Sequence, residues 1–298
     1  MKARADQIIL YRESYGDMAK RLAGSLGLSS ELISAHRFPD GESYIRLPVS
    51  KMGEAWLFGS LFPPNERILE LILASRSLKN SGVQRINLIT PYLPYMRQDK
   101  AFRAGEAISA PIIAELLSMY VDHLITVDPH LHRINSLNDI YNCKTTVLHA
   151  APYLATWISN NIINPVIVGP DSESQQWVSG LAKQLNAPFL VFKKKRTGDR
   201  SVSIDPQGIT AIAGGSPVIV DDIISTGTTM AKAGALVFHA TGINPIGMAV
   251  HGIFAGKARN TLLDAGFSQI ITTNSIPGKS QQIDLVPLLH ACLNDLIS

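Results

Sequence analysis

The sequence predicts an α/β protein of two similar-sized domains, each a mainly parallel sheet flanked by helices. Short β-rich runs alternate with amphipathic stretches along the 298 residues, which is typical of parallel sheets covered by helices. The chain contains about twice as many strand–helix units as one mononucleotide-binding half, and no low-complexity linker interrupts them. We expect domains at 1–148 and 149–298, with a helix at about 284–298 as a candidate for packing on the first domain.

The predicted strands are short apolar runs bounded by turn-forming or charged residues. In order they are 8–11, 55–59, 85–90, 124–127, 145–148, 166–169, 189–192, 218–220, 246–251 and 269–273. Helices are expected between them, because segments such as 66–78 repeat apolar residues close to every 3.6 positions. Further predicted helices are 112–120, 176–185 and 230–240.

Composition limits the class of protein. The chain is 46% hydrophobic and 17% charged with a net charge of +3, a balance that favours a globular protein and argues against nucleic-acid binding. The start has no apolar core before a cleavage site, and no apolar run is long enough to span a bilayer, so we expect a cytoplasmic protein without membrane contact. Cys143 and Cys292 have no metal-ligand spacing and are expected to be reduced and structural.

The most informative segment is 218–229, where an apolar strand is followed by two acids, a small hydroxyl-rich loop and a helix. The loop comprises Ser225, Thr226, Gly227, Thr228 and Thr229. Its backbone N–H groups and hydroxyls can face one anion, and the positive end of the helix dipole lies behind them. This pattern predicts a site for a phosphorylated sugar.

Asp221 and Asp222 are expected at the carboxyl end of this strand. They could accept hydrogen bonds from ribose hydroxyls or hold Mg²⁺ through its waters. The alternative is an ordinary strand, turn and capped helix with solvated acids. We favour the binding site, because open α/β sheets bind ligands at the carboxyl ends of their strands.

Four other loops carry polar side chains whose roles the residues alone leave open. The loop at 90–110 contains Arg97, Gln98, Lys100 and Arg103, which suit a nucleotide and suit a solvated basic surface equally well. His130 and His132 follow a strand and could bind a metal, although polar residues that simply close a strand are more common. The segment 169–174 could hold a diphosphate, or Ser172 or Ser174 could cap the next helix. The run 192–200, with Lys194 and Arg196, could close over a triphosphate or be a solvated loop.

Taken together, these segments resemble the ribose-phosphate diphosphokinase family, also called phosphoribosyl diphosphate synthetases. The likeness follows the chain in order through Phe38-Pro39-Asp40-Gly41-Glu42, residues 91–99, Asp128-Pro129-His130, Gly169-Pro170-Asp171, Lys194-Lys195-Arg196 and the segment 221–229. Residues 91–99 resemble the family's nucleotide loop, which has Pro-Tyr and Tyr-Arg-Gln-Asp. The resemblance implies two phosphoribosyltransferase-like domains, the first serving the nucleotide and the second ribose 5-phosphate. It also implies transfer of the β,γ-diphosphoryl group of ATP to the C1 hydroxyl of ribose 5-phosphate, giving AMP and 5-phosphoribosyl 1-diphosphate for nucleotide biosynthesis.

The resemblance further implies a role for each matching residue. ATP would be bound by Arg97, Gln98 and Asp99, with Phe38, Asp40 and Glu42 from a neighbouring subunit. The ribose 5-phosphate site would comprise Asp221, Asp222, Ser225, Thr226, Gly227, Thr228 and Thr229. Mg²⁺ would be positioned by His130 and Asp171, and the catalytic clamp would be Lys194 and Arg196 on a mobile loop. The protein would then be a homo-oligomer with a dimer as its smallest complete unit, in a tetramer or a hexamer.

Two departures from the family pattern modify this expectation. Glu173 and Ser174 replace the usual Gly-Gly pair, so the backbone is less free to approach a diphosphate and an added carboxylate repels it. Ala104 and Gly105 stand where phosphate-regulated members commonly have Ser-Arg, and the sequence stops at Ser298 without their short tail. We expect activity that needs no inorganic phosphate and lacks ADP inhibition at a separate site.

Two other functions are consistent with parts of the sequence. A phosphoribosyltransferase would share the segment 221–229 but generally has one α/β domain with a hood, whereas this chain has an additional nucleotide-like half. A non-catalytic regulatory relative would keep the fold and lose the chemistry. The presence of Lys194, Arg196, His130 and Asp171 argues against it.

Overall fold

The computed structural model describes residues 6–48, 52–101, 103–192, 214–278 and 280–297. The first half contains β1 (Gln7–Tyr11), α1 (Gly16–Leu26), β2 (Ser29–Leu32), β3 (Ser34–Arg37), β4 (Ser43–Arg46), β5 (Glu54–Phe58), α2 (Pro64–Asn80), β6 (Arg85–Thr90), α3 (Ser109–Ser118), β7 (His123–Val127) and β8 (Lys144–Leu148). The second half contains α4 (Ala151–Asn161), β9 (Pro165–Gly169), α5 (Gln175–Leu185), β10 (Phe189–Val191), β11 (Ser216–Ile224), α6 (Thr228–Thr241), β12 (Ile246–Gly252), α7 (Ala258–Asp264), β13 (Gln269–Thr273), β14 (Gln281–Ile283) and α8 (Val286–Ile297). The chain forms two compact units, residues 1–148 with 286–298 and residues 149–285.

The first unit is built on a six-stranded parallel sheet in the order β2-β1-β5-β6-β7-β8. Its central strands are almost continuously buried, as expected for a parallel sheet covered on both faces. An antiparallel hairpin of β3 and β4 forms separately from this sheet. The carboxyl ends of β6 and β7 therefore present the loops at 91–108 and 128–136 at one edge of the sheet.

Helix α8 packs with α1 of the first unit, although it follows the second unit in sequence. Its buried residues, Val286, Leu289, Leu293 and Ile297, recur at three- and four-residue spacing and form one apolar face. His290 Nδ1 lies 2.9 Å from the hydroxyl of Ser25 in α1. The C-terminal helix thus completes the helical cover of the first unit.

The second unit is a six-stranded parallel sheet in the order β10-β9-β11-β12-β13-β14. Its buried core includes Ile219 of β11, Val237 of α6 and Leu262 of α7. The central strand β11 leads directly to α6, so the carboxyl end of a central strand meets a helix start. The predicted α/β fold class, with mainly parallel sheets flanked by helices, is confirmed.

Some element predictions were wrong in detail. The strands β2, β3, β4 and β14 were missed, because they are short edge or hairpin strands without a buried apolar run. The strand predicted at 218–220 continues to Ile224, since β12 supplies a parallel partner along this length. Asp221 and Asp222 therefore lie within β11 and not in a loop after it. No helix in the described part of the chain is long and apolar enough to cross a membrane.

Candidate functional site

The loop between β11 and α6 adopts a shape suited to an anion. Gly227 is the N-cap of α6 with φ of 73°, a left-handed conformation that glycine adopts without strain. A Cβ at Gly227 would lie 3.2 Å from the carbonyl oxygen of Ala258 and 3.3 Å from Cγ of Leu262. Because glycine offers no capping side chain, the first-turn N–H groups of α6 have no side-chain cap and can donate hydrogen bonds to a ligand oxygen.

Hydroxyl groups surround this helix start. Thr226 and Thr228 are exposed, and their hydroxyl oxygens lie 3.2 Å apart. The backbone of Ser225 is held in place because its carbonyl oxygen accepts a hydrogen bond from the N–H of Ala255 at 3.0 Å. The segment therefore places two exposed hydroxyl groups beside the start of α6.

A cavity of about 110 Å³ opens beside this loop. It is lined by Pro170, Phe192, Thr228, Thr229, Lys232, Ala233 and Leu236. Lys232 lies one helical turn after Thr228, which brings its ammonium group to the same face of α6. Our sequence interpretation did not include Lys232. The four-residue spacing from Thr228 would have identified it once the first residue of the helix was known.

Three carboxylates come together in the second unit. Burial raises the pKa of Asp221 well above its usual range, and the carboxylates of Asp222 and Asp171 raise it further. The N–H of Asp222 donates to Oδ1 of Asp221 at 3.0 Å and only partly offsets this effect. Such a concentration of negative charge suits a divalent cation with oxygen ligands.

Asp171 begins the segment in which Glu173 and Ser174 depart from the family pattern. Its carboxylate accepts a hydrogen bond from the N–H of Glu173 at 3.0 Å and caps a short 3-10 turn, Ser172–Ser174. The hydroxyl of Ser174 donates to the carbonyl of Asp171 at 2.6 Å. Ser174 occupies the N-cap position of α5, as the sequence suggested, but its side chain makes no capping hydrogen bond to that helix.

In the first unit, the segment at 38–42 forms the tip of the β3–β4 hairpin. The N–H of Phe38 donates to the carbonyl of Glu42, and Gly41 adopts a left-handed φ of 97° at the turn. Asp40 accepts from the N–H of Glu42 at 3.1 Å. Phe38 is 42% exposed and packs edge-on against His36 and Tyr44, which stack on each other. The turn thus displays an aromatic ring and two acids at the surface.

The loop after β6 is anchored by apolar residues and exposes polar ones. Tyr92, Leu93 and Met96 are buried, whereas Arg97 is exposed and Gln98 is half-buried. Between these groups the hydroxyl of Tyr95 donates to Oδ1 of Asn65. Anchoring of this kind holds Arg97 and Gln98 in defined positions at the edge of the sheet.

Asp99 differs from its two neighbours. Its side chain is only 2% exposed, and Nη1 of Arg133 donates to both of its carboxylate oxygens at 2.8 and 3.1 Å. Arg133 did not attract attention in the sequence, because a partner 34 residues away leaves no local pattern. Asp99 therefore links the loop after β6 to the loop after β7.

The loop after β7 begins with strained backbone. Asp128 has φ of 37° and is buried, and its N–H donates to the carbonyl of Leu148 at 2.9 Å. Residues held in such conformations are often found at functional sites. The rings of His130 and His132 follow, with centroids 4.0 Å apart. Lys194 and Arg196 lie outside the described residues.

Comparison with known proteins identifies the family. Residues 7–120 match the model of the N-terminal domain of ribose phosphate pyrophosphokinase, and residues 137–280 match the phosphoribosyl transferase domain. A ribose-phosphate pyrophosphokinase of Sulfurisphaera tokodaii is 34% identical over 85% of this chain and 88% of its own. The chain belongs to the ribose-phosphate pyrophosphokinase family.

Two further relatives extend this result. The ribose-phosphate pyrophosphokinase of Pyrococcus furiosus is 30% identical over 91% of this chain and 96% of its own. The crystal structure of phosphoribosylpyrophosphate synthetase from Mycobacterium smegmatis superimposes with a TM-score of 0.83 at 25% identity, covering 98% of both chains. The resemblance found in the sequence is thus confirmed, and the chain is a member of an enzyme family.

Proposed function

We propose that this chain transfers the β,γ-diphosphoryl group of ATP to the C1 hydroxyl of ribose 5-phosphate, giving AMP and 5-phosphoribosyl 1-diphosphate. The observation that carries the proposal is the match of residues 7–120 to the N-terminal domain of the pyrophosphokinases. The second-domain match alone would suit a phosphoribosyltransferase equally well.

In this proposal the loop at 225–229 binds the 5-phosphate. Two features support it: the uncapped start of α6 and the hydroxyls of Thr226 and Thr228 near the cavity. The helix dipole favours a dianion at this position. Asp221 and Asp222 accept hydrogen bonds from the ribose hydroxyls and thereby orient C1 toward the nucleotide.

The acidic residues of the second unit are suited to Mg²⁺. Asp171 offers a carboxylate beside Asp221 and Asp222. Burial first, and then the charges of these two neighbours, raise the pKa of Asp221, and a dication relieves the repulsion among the three carboxylates. His130 is the partner ligand that the family resemblance implies. Mg²⁺, when bound, neutralises phosphate charge that develops during transfer.

On the nucleotide side, we assign Arg97 and Gln98 to ATP. In this assignment Asp99 positions the nucleotide loop and does not contact ATP itself, because both of its carboxylate oxygens already accept hydrogen bonds from Arg133. The hairpin residues Phe38, Asp40 and Glu42 serve a neighbouring subunit of a homo-oligomer, and their exposure at a turn supports this role.

Lys194 and Arg196 clamp the transferring group in the proposed reaction. The attacking group is the C1 hydroxyl of the sugar, so the protein forms no covalent intermediate and acts through positioning and electrostatics. We place the enzyme in the cytoplasm.

The test is an AMP-release assay with ATP, ribose 5-phosphate and Mg²⁺. We expect AMP and 5-phosphoribosyl 1-diphosphate in equal amounts, and loss of both in Asp221→Asn. Asp264→Asn is the matched control, because Asp264 is an exposed acid at the end of α7. Turnover of 5-phosphoribosyl 1-diphosphate with a base, without AMP from ATP, would indicate a phosphoribosyltransferase instead. No turnover in either assay would indicate a regulatory relative.

A further inference from the structure

Another cavity lies in the first unit, at the carboxyl ends of β1 and β5. Its volume is about 50 Å³. One water molecule needs about 10–15 Å³ of cavity volume measured in the same way, so the cavity is several times larger than a single water site. Most of its lining is apolar and comes from the sheet and α2. The polar part of the lining consists of Arg12, Tyr15, Ser60, Arg67 and Glu70. The cavity is therefore large enough for a small ion and is charged on one side.

Arg12 has hydrogen-bond donors that nothing in the described chain satisfies. It follows the last residue of β1, and its Nε and Nη1 atoms are inaccessible to solvent and without a hydrogen-bond partner among the described residues. Buried polar groups are normally hydrogen-bonded, and guanidinium groups most of all. The arrangement points to a group that is not part of this unit.

Glu70 does not fill that role. Its Oε2 lies 3.6 Å from Nε of Arg12, too far for a hydrogen bond. The same oxygen accepts from Nη1 of Arg67 at 2.5 Å. Glu70 thus makes its hydrogen bond with Arg67, and it forms only a longer ionic contact with Arg12.

The charges in the cavity are also unbalanced. Two guanidinium groups face one carboxylate, which leaves an excess of one positive charge. Burial lowers the pKa of Arg12, the attraction of Glu70 opposes this effect, Arg67 lowers the pKa further, and Glu13, an exposed acid outside the cavity lining, raises it. Arg12 nevertheless stays protonated at neutral pH because an arginine pKa lies so far above it. An anion would compensate the excess charge.

We propose that this cavity binds a small oxyanion of the inorganic phosphate class, with the guanidinium group of Arg12 as its donor and Arg67 adding positive charge. A guanidinium group forms short, charge-assisted hydrogen bonds to an oxyanion. The cavity shares no residue with the segments assigned to ATP or to ribose 5-phosphate.

Equilibrium dialysis of the full chain with radiolabelled inorganic phosphate, without nucleotide or sugar, tests the site. The loop at 225–229 should bind phosphate as well, so the informative quantity is the number of sites per chain. We expect Arg12→Met to bind one phosphate fewer than the unaltered chain. Arg76→Met, which removes an exposed arginine of α2, should keep the full number. The same number of bound phosphate ions per chain in the unaltered protein, Arg12→Met and Arg76→Met would overturn the proposal.

Competition then distinguishes the source of the anion. Displacement of the Arg12-dependent phosphate by sulfate but not by methyl phosphate identifies a free inorganic ion. Displacement by both identifies a site that also admits a phosphomonoester. Failure of unlabelled phosphate to displace the label would show that the Arg12-dependent signal is not a binding site.

A structural measurement covers the case in which Arg12→Met does not fold. Crystals of the unaltered chain grown with selenate should show an anomalous peak within hydrogen-bond distance of Nε of Arg12. An ordered Arg12 side chain without such a peak would reject the site.

Discussion

Arg133 binds both carboxylate oxygens of Asp99 through a single nitrogen and thereby joins two loops at the carboxyl edge of the first sheet. One loop follows β6 and carries Arg97, and the other follows β7 and carries His130. The acid is almost fully buried, whereas 43% of the arginine side chain is exposed. The pair therefore ties the loop after β6 to the loop after β7.

Arg133→Met should weaken both stability and ATP binding. It leaves the buried carboxylate of Asp99 without its ionic partner, which typically costs about 1–3 kcal/mol. The released loop should raise the KM for ATP about tenfold, equivalent to roughly 1.4 kcal/mol, with little change in the KM for ribose 5-phosphate. Chemical denaturation and steady-state kinetics measure the two effects.

A second substitution distinguishes this pair from a general effect of losing an arginine. Asp99→Asn in the Arg133→Met background removes the buried charge and should restore much of the lost stability. Arg76→Met on the surface of α2 should change neither quantity. If Arg133→Met matches the unaltered chain in stability and in KM, the bracing role is wrong.

Asp221 should make stability depend on pH. Because its pKa is raised in the folded protein, the folded state holds this proton more tightly than the unfolded state does. The carboxyl group therefore contributes stability below its unfolded pKa of about 3.9, and this contribution is lost as the pH rises through the folded pKa.

Asp221→Asn should therefore be inactive and yet more stable than the unaltered chain at about pH 8, a gain that shrinks as the pH falls toward about 4. Denaturant titrations at several pH values, without Mg²⁺, measure this difference. Added Mg²⁺ should stabilise the unaltered chain and Asp264→Asn more than Asp221→Asn. A variant less stable than the parent at every pH would contradict the assignment.

Gly227→Ala should disrupt the proposed phosphate loop. Alanine is strained at φ of 73°, and its Cβ would meet Ala258 and Leu262 of the unit's core, so we expect a loss of about 1–2 kcal/mol. The KM for ribose 5-phosphate should rise, since the N–H groups at the start of α6 would move. Denaturation and kinetics with ribose 5-phosphate measure both.

Gly180→Ala provides a matched control for Gly227→Ala. Gly180 lies within α5, and a Cβ there meets nothing within 4 Å. It should stabilise the chain by roughly 0.5–1 kcal/mol and leave the KM unchanged. Equal KM values for the two variants would exclude a role for the conformation of Gly227.

The sequence predicted the parallel strands well because their burial produces a local pattern. The strand Arg85–Thr90, for example, has Ile86, Leu88 and Ile89 close together in the sequence, and in the fold it is a buried central strand. The β3–β4 hairpin could not be predicted in this way, since its polar residues are stabilised by each other across the turn. The same limit applies to the extension of β11 to Ile224, which depends on the register with β12.

The candidate site residues likewise divide into those with a local sequence pattern and those that depend on distant contacts. Residues close to the end of a strand predicted from the sequence, such as Asp221 and His130, could be selected from their position. The pairing of Asp99 with Arg133 and the unsatisfied donors of Arg12 depend on contacts between distant parts of the chain. Roles of this kind have no local sequence pattern.

Activity should not require inorganic phosphate. The segment after Lys100 has Ala104 and Gly105 where phosphate-regulated members commonly have Ser-Arg, which removes a cation and a hydroxyl that an anion would need. Initial rates should change little when phosphate replaces chloride at equal ionic strength, and ADP should compete simply with ATP. Strong activation by phosphate together with sigmoidal inhibition by ADP would refute this prediction.

Mixing two inactive variants should restore activity if the hairpin serves a neighbouring subunit. Glu42→Ala removes an acid of the hairpin tip, and Lys194→Ala removes the proposed clamp, so each protein alone should be inactive. After dissociation and reassociation of an equal mixture, about one quarter of the sites should combine an intact hairpin with an intact clamp. AMP release by the mixture measures this recovery.

The control for this experiment pairs Lys194→Ala with Asp221→Asn. Both residues are assigned to the same chain's part of the active site, so no mixed site contains an intact pair and activity should remain absent. Recovery in this control would show that the clamp and the sugar loop come from different subunits. Absence of recovery in the Glu42→Ala mixture, with mixed oligomers demonstrated by mass spectrometry, would place the hairpin in its own chain's site or outside the active site.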